Sequence, residues 1–207
     1  MSLRPSKIVC VGRNYVAHAK ELGNEVPPVP MLFLKPPSAL IGPGEPIVLP
    51  DASRQVEHEA EIGVVIGSRL RDAGEAEAER GIEGYVCVND VTCRDLQKTD
   101  GQWGRAKGYD TFCPAGPAVR NGLDWRALEV IGRVNGRERQ RAPATDMHFG
   151  IPFLVSFISG IMTLEPGDLI ATGTPAGTGP LSDGDVVEVE ISGVGVLSNP
   201  VRDGTRR

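Results

Sequence analysis

Apolar positions along the chain come in short runs closed by glycine or proline, and few segments keep the 3.6-residue period of a long helix. Residues 7–11 (KIVCV) predict a short buried strand, turned by Gly12-Arg13-Asn14. Residues 15–22 carry a helical pattern that Gly23 ends as a C′ residue. Pro27, Pro28, Pro30, Pro36 and Pro37 exclude a helix as far as Ser38 and leave 31–34 as a short strand at a sheet edge or strand end. Pro46 and Pro50 bound another at 47–49. The clearest strand is 56–66 (VEHEAEIGVVI), followed by a short exposed helix at 73–80 and a strand at 84–91. Thr92-Cys93-Arg94-Asp95 fits a capping box, which predicts a helical turn directly after it. Residues 130–141 read as strand, Asn135-Gly136 turn, strand. A helix buried on most sides is expected at 151–164, and strands at 169–171 and 186–191. Ser192-Gly193 and Gly195 lead into a final strand near 196–201.

Many short strands, few helices and no β–α alternation predict an α+β, β-rich fold and disfavour a Rossmann fold or TIM barrel. With no repeat and no linker cluster, the expectation is one domain over 1–207 with its core at about 7–201. Gly 26 and Pro 17 fall in punctuating clusters, so they indicate turns rather than disorder. A net charge of −5 with no basic stripe argues against a nucleic-acid partner; the basic tail of Arg202, Arg206 and Arg207 is too short to change that. The longest apolar stretch, 151–164, carries Pro152, Ser156, Ser159 and Gly160 and is too short to span a bilayer. No apolar segment of signal-peptide length follows the N-terminus, and Cys10, Cys87, Cys93 and Cys113 form no C-x-x-C pair. Reduced buried thiols in a cytoplasmic protein are the expectation.

Glu57-His58-Glu59-Ala60-Glu61 is the first candidate for chemistry. Along a strand the three glutamates share one face, successive ones roughly 7 Å apart at the backbone, near enough to hold one ion. A solvated strand face is the plain alternative. Asp90, at the end of an apolar strand, reads as a turn aspartate alone and as a third oxygen ligand beside the glutamates. Oxygen donors without paired Cys or His favour Mg²⁺, Mn²⁺ or Ca²⁺ over zinc. His18 and Glu21, spaced i, i+3, form either an oriented general base or a surface pair. His58 is expected as a satisfied core residue, and His148 as a capping or packing one. The loop 172–180 (TGTPAGTGP) could cradle an anion or simply turn, and Lys107 by itself is a solvated lysine.

In order along the chain stand KIVCVGRNYVAHAKEL, MLFLKPPSALIG, HEAEIGVVIG, VNDVTCRDLQ, RAKGYDTFCPAGP, NGRERQ and TGTPAGTGP. Together, over about 7–201, they resemble the fumarylacetoacetate hydrolase superfamily in its short form, without the extra N-terminal domain of the name-giving enzyme. The resemblance implies a mixed β-sandwich roll, a homodimer and one divalent metal per subunit, Mg²⁺ or Mn²⁺, with Ca²⁺ as a stand-in in crystals. It assigns the metal to Glu59, Glu61 and Asp90, leaving Glu57 at the surface or supporting the ligands. It makes His18 and Glu21 an acid/base dyad on a segment that orders over substrate, and points Lys107 at the metal-bound substrate. Arg94, Gln97, Thr174 and Arg13 would lie near it.

The substrate implied is a 2-oxo acid, chelated through its carboxylate and keto oxygens so that an enolate can form at C3. C–C hydrolysis of an acylpyruvate-like β-diketo acid is the leading reading, because His18 and Glu21 suit water activation. The alternative is an isomerase or decarboxylase of diene-dioates or oxaloacetate, to which the stretch Asp100-Gly101-Gln102-Trp103 looks closer. A more remote one is a non-catalytic β-protein stabilised by Ca²⁺. Leu32, Tyr109 and Phe149 are candidate pocket walls.

Overall fold

A computed structural model describes residues 3–21 and 23–204. Its strands are β1 (Ile8–Gly12), β2 (Met31–Lys35), β3 (Leu40–Ile41), β4 (Ile47–Leu49), β5 (Val56–His58), β6 (Ala60–Ile66), β7 (Ile82–Asn89) and β8 (Thr92–Cys93). There follow β9 (Cys113–Arg120), β10 (Glu129–Val134), β11 (Arg137–Pro143), β12 (Leu169–Ala171), β13 (Gly179–Pro180), β14 (Val186–Ile191) and β15 (Gly195–Asp203). The helices are short: α1 (Val16–Glu21), α2 (Glu75–Arg80), α3 (Arg94–Asp100), α4 (Gly104–Lys107) and α5 (Ile151–Ile161). None is long and apolar enough to cross a membrane.

The strands form a seven-stranded mixed sheet ordered β2-β1-β12-β6-β7-β9-β3, a five-stranded sheet β11-β10-β14-β15-β4, and a small sheet β13-β5-β8. The five-stranded sheet lies across β6, β7 and β9 of the larger one. Period-2 alternation sorts the side chains. Ile62, Val64 and Ile66 of β6 and Cys87 of β7 enter the core shared with Val130, Val189, Ile191 and Leu197, which α5 closes with Ile151, Leu154 and Ile158. Val65, Val86 and Val88 point the other way, into a second cluster with Ile8, Cys10 and Leu169. A sheet covered on both faces is why these strands read as continuous apolar runs. The expected α+β, strand-rich fold is therefore what forms.

Local expectations fared unevenly. The 130–141 hairpin forms about Asn135 (φ 52°) and Gly136 (φ 71°), the left-handed pair that a tight two-residue turn requires. The first helix ends on Gly23 as expected: its φ is 69°, its N–H bonds the Lys20 carbonyl at 3.0 Å, and the Asn24 N–H bonds the Ala19 carbonyl at 2.8 Å. Leu22 lies outside the described residues, as do Arg206 and Arg207. The single strand at 56–66 is two: β5 pairs with β8 and β13, β6 with β7 and β12, and the chain changes sheets at Glu59. Alternation continues through such a corner, so the sequence carries no sign of it. The capping box does not form. Cys93 is the cap residue of α3 and makes no side-chain cap, Thr92 donates to the Asp90 carbonyl, and the Asp95 carboxylate accepts from Ser53 and Arg54 as well as Leu96. Strand β9 is unexpected from a sequence punctuated by Pro114, Gly116 and Pro117.

One buried polar side chain fastens the segments around the site. Asn14, fully buried, accepts from the Phe149 N–H and donates to the Phe149 and Thr172 carbonyls. The turn after β1, the approach to α5 and the loop after β12 are thereby held together. Asn14→Ala would leave these buried backbone groups unpaired and should lower unfolding free energy by roughly 3 kcal/mol. Urea denaturation reads this as a lower midpoint at unchanged slope, and a shift within error would remove Asn14 from this role.

Candidate active site

The sheet corner brings the carboxylates together. Ala60 pairs with Asn89 at the end of the β6–β7 ladder, and one step further the Asp90 N–H bonds the Glu59 carbonyl at 2.9 Å. The Glu59 N–H leaves the ladder for the Asn89 side chain at 2.9 Å. Glu61 follows on β6, its carboxylate accepting the Gly173 N–H at 2.8 Å. One oxygen from each of Glu59, Glu61 and Asp90 lies within 4.8 Å of the others, and the three residues are 4 %, 2 % and 1 % exposed. An all-carboxylate oxygen set fits a hard divalent cation.

Three cations surround this charge. The Lys107 ammonium bridges Glu59 (2.8 Å) and Asp90 (2.6 Å). Arg94 spans Glu57 (2.8 Å) and Glu59 (2.6 Å) and donates to Gln97 at 2.6 Å. Lys35 meets the other Asp90 oxygen at 2.5 Å. Burial alone would raise the Glu59 carboxyl, but Lys107 and Arg94 override it and hold it well below the usual carboxylate range. Glu61 goes the other way: burial first, then the Asp90 and Glu59 charges, push its carboxyl up. Lys107 is held in its charged form because Asp90 and Glu59 outweigh the cost of burying it.

A cavity of about 400 Å³ opens from the carboxylates. His18 lines it, its Nδ1 3.2 Å from Glu21 Oε2. Glu21 in turn accepts the Gly177 N–H at 3.1 Å. Gly177 has φ +100°, and a Cβ there would stand 2.0 Å from the Arg139 carbonyl oxygen, so no larger residue can offer that N–H. Phe33 and Trp103 form an edge-to-face wall with centroids 5.3 Å apart, and the Arg13 guanidinium lies over Trp103 at 5.9 Å.

The structure thus brings His18, Lys107, Arg13, Arg94, Gln97, Thr174, Glu59, Glu61 and Asp90 to one cavity, with Glu21 just behind His18. Lys107 is not solvated, and Glu57 is not at the surface but buried behind Glu59 on Arg94. The 172–180 loop does cradle anions, but they are the chain's own carboxylates, Glu61 and Glu21. Thr174 donates to the Ala60 carbonyl and accepts from Gln140, whose amide oxygen also receives the Ala60 N–H and meets the His58 ring, a satisfied core histidine as expected. The expected walls are elsewhere: Leu32 and Phe149 pack on the main core and Tyr109 on Phe112. Sequence reasoning missed Lys35, Phe33, Trp103 and Gln140. Extending the 31–34 strand by one residue would have placed Phe33 and Lys35 on a common face.

Residues 7–202 match the model of the fumarylacetoacetate (FAA) hydrolase C-terminal family. The chain is 45 % identical to the mitochondrial oxaloacetate tautomerase of Arabidopsis thaliana, over 91 % of this chain and 87 % of that protein. It is 44 % identical to the mitochondrial oxaloacetate decarboxylase of Dictyostelium discoideum, over 91 % and 89 %. A crystal structure of 2-hydroxyhepta-2,4-diene-1,7-dioate isomerase from Mycobacterium marinum superposes with a TM-score of 0.90 at 47 % identity, covering 96 % of this chain and 75 % of that one.

Because the Glu61 carboxyl is raised, its contribution to metal-free stability is intact below the ordinary value of 4.5 and is lost as pH climbs above it. The depressed Glu59 carboxyl acts oppositely, its contribution being lost as pH falls. Glu61→Gln removes only the first effect. In EDTA at pH 8 it should raise the Tm by roughly 2–4 °C, the shift about 1 kcal/mol gives at this size, with the gap closing toward pH 4. Calorimetry at the two pH values checks it, and a variant tracking wild type at both would refute the repulsion.

Proposed function

The chain belongs to the fumarylacetoacetate hydrolase family, and on that footing we propose that it acts on a 2-oxo dicarboxylic acid of the oxaloacetate type. The reaction interconverts keto and enol forms or releases the distal carboxylate as carbon dioxide. The observation that carries this reading is the charge of the cavity. Arg13 and Lys98 line it together with Lys107 and Arg94, and among the described residues neither Arg13 nor Lys98 is ion-paired. A substrate carrying a 2-oxo acid at one end and a second carboxylate at the other meets both groups of charges. The names of the relatives above support proton transfer and decarboxylation more than C–C hydrolysis.

Glu59, Glu61 and Asp90 would hold Mg²⁺ or Mn²⁺, which supplies Lewis acidity toward a chelated 2-oxo acid. The protein's own groups do the rest. Glu21 occupies His18 Nδ1, and Nε2, unbonded among the described residues, takes a proton from C3 or returns one. Lys107 sets positive charge beside the site where negative charge gathers on the C2 oxygen. In decarboxylation the C3–C4 bond breaks, its electron pair passes toward that oxygen, and His18 then protonates C3. Thr174, Gln97 and Arg94 line the cavity, and Arg13, over the Trp103 ring, would receive the distal carboxylate. A purely stabilising calcium site would leave His18, Glu21 and Lys107 converging on one cavity without a role.

A ¹H NMR time course with MgCl₂ tests this on oxaloacetate, a 2-hydroxy-diene-dioate, acetylpyruvate and fumarylpyruvate, each with EDTA and protein-free controls. Metal-dependent tautomer exchange or pyruvate formation from oxaloacetate is expected. Pyruvate plus a free acid from the acylpyruvates alone would replace this reading with hydrolysis. His18→Ala should lower kcat by roughly 10²–10⁴-fold while metal binding is kept. Full turnover in that variant would remove His18 from the proton transfer. Arg13→Met should raise KM for oxaloacetate about tenfold or more, the weight of a hydrogen bond between charged groups. An unchanged KM would place the distal carboxylate elsewhere.

A further inference from the structure

Lys35 is a buried cation that the proposed chemistry does not use. It is 1 % exposed and does not line the cavity. Strand β2 carries it opposite Ile8 of β1, and the Phe112 ring lies 6.0 Å from its ammonium. The ammonium donates to Asp90 Oδ1 at 2.5 Å and to the Val91 carbonyl at 3.1 Å. The second Asp90 oxygen, Oδ2, faces Lys107, which does line the cavity. The two oxygens of one carboxylate are thus sorted: Oδ1 is anchored on a lysine away from the cavity, and Oδ2 on the lysine that lines it.

Each carboxylate oxygen has two lone-pair sites, and the Lys35 bond takes one on Oδ1 and fixes the rotation of the group, which favours ligation through Oδ2 alone. Turning the carboxylate to chelate through both oxygens would strain a buried, charge-assisted hydrogen bond with no water to replace it. The restriction bears unequally on ions. Calcium takes six to eight oxygens and uses bidentate carboxylates readily, whereas magnesium takes six in a tight octahedron and suits single-oxygen ligands plus water. Resting on the reading of Glu59, Glu61 and Asp90 as the metal ligands, we propose that Lys35 is a positioning residue that keeps Asp90 monodentate and so sets the preference of the site for a magnesium-sized ion over calcium.

The test is isothermal titration of metal-stripped protein with MgCl₂, MnCl₂ and CaCl₂, for wild type, Lys35→Met and Lys35→Gln. Removing a nearby positive charge alters affinity for every cation, so the readout is the ratio of magnesium to calcium affinity. Lys35→Met should lower that ratio about tenfold or more, the weight of one hydrogen bond to a charged group. Lys35→Gln, whose amide can still donate to Oδ1, should keep most of it. Equal fold-changes for both ions in Lys35→Met would reduce Lys35 to a charge-balancing role and overturn the proposal. A crystal structure of calcium-loaded wild type decides the matter without a variant: monodentate Asp90 with Lys35 in place supports it, and bidentate Asp90 released from Lys35 overturns it. Wild type that binds no divalent ion would remove the metal reading itself, a result distinct from an unchanged ratio.

Discussion

Negative charge gathered where water is excluded is the constraint around which this molecule is arranged. Glu57, Glu59, Glu61 and Asp90 are all buried at one corner between sheets. Isolated carboxylates there would cost several kcal/mol each. The chain answers with cations drawn from separate elements: Lys35 from β2, Arg94 from α3 and Lys107 from α4. Each pairing ties a peripheral element to the corner where β5 gives way to β6 and β7 ends. Buried ion pairs of this kind rarely raise stability over an apolar core of the same shape. What they provide here is placement, since both oxygens of Glu57, Glu59 and Asp90 have a fixed partner.

Much of the corner could be read from the chain alone, for reasons that are local. Glu59 and Glu61 stand two apart on a strand, and Asp90 ends a run of apolar residues, so spacing and hydropathy suffice to group them. Asn135-Gly136 declares its hairpin through the backbone angles it must adopt. His18 and Glu21 meet because one helical turn separates them. The strand-rich class follows from the density of short apolar runs.

What stayed hidden depends on partners far along the chain. Nothing near Glu59 signals that the strand changes sheets, because the exchange is decided by β8 and β13 on one side and β7 and β12 on the other. Lys35 follows four apolar residues and precedes two prolines, a position that suggests an exposed strand end. Only its pairing with β1 carries it into the interior beside Asp90. The cavity wall turns on the same parity. Phe33, not Leu32, faces the site, and it meets Trp103 from a segment seventy positions away. Gln140 was equally illegible, since it accepts the Ala60 N–H from a strand of the other sheet.

The aim of the imidazole rests on a backbone group. Glu21 steadies His18, and the Gly177 N–H steadies Glu21, at a residue whose left-handed angle and contact with the Arg139 carbonyl admit no side chain. Part of the geometry of the His18–Glu21 pair is therefore written in a position that has no functional group to recognise. A side chain at Gly177 would collide with the Arg139 carbonyl, whatever its chemistry. Family comparisons that score only ionisable residues would pass over it. Such silent positions set the limits within which the loop can drift while Glu21 keeps its backbone partner.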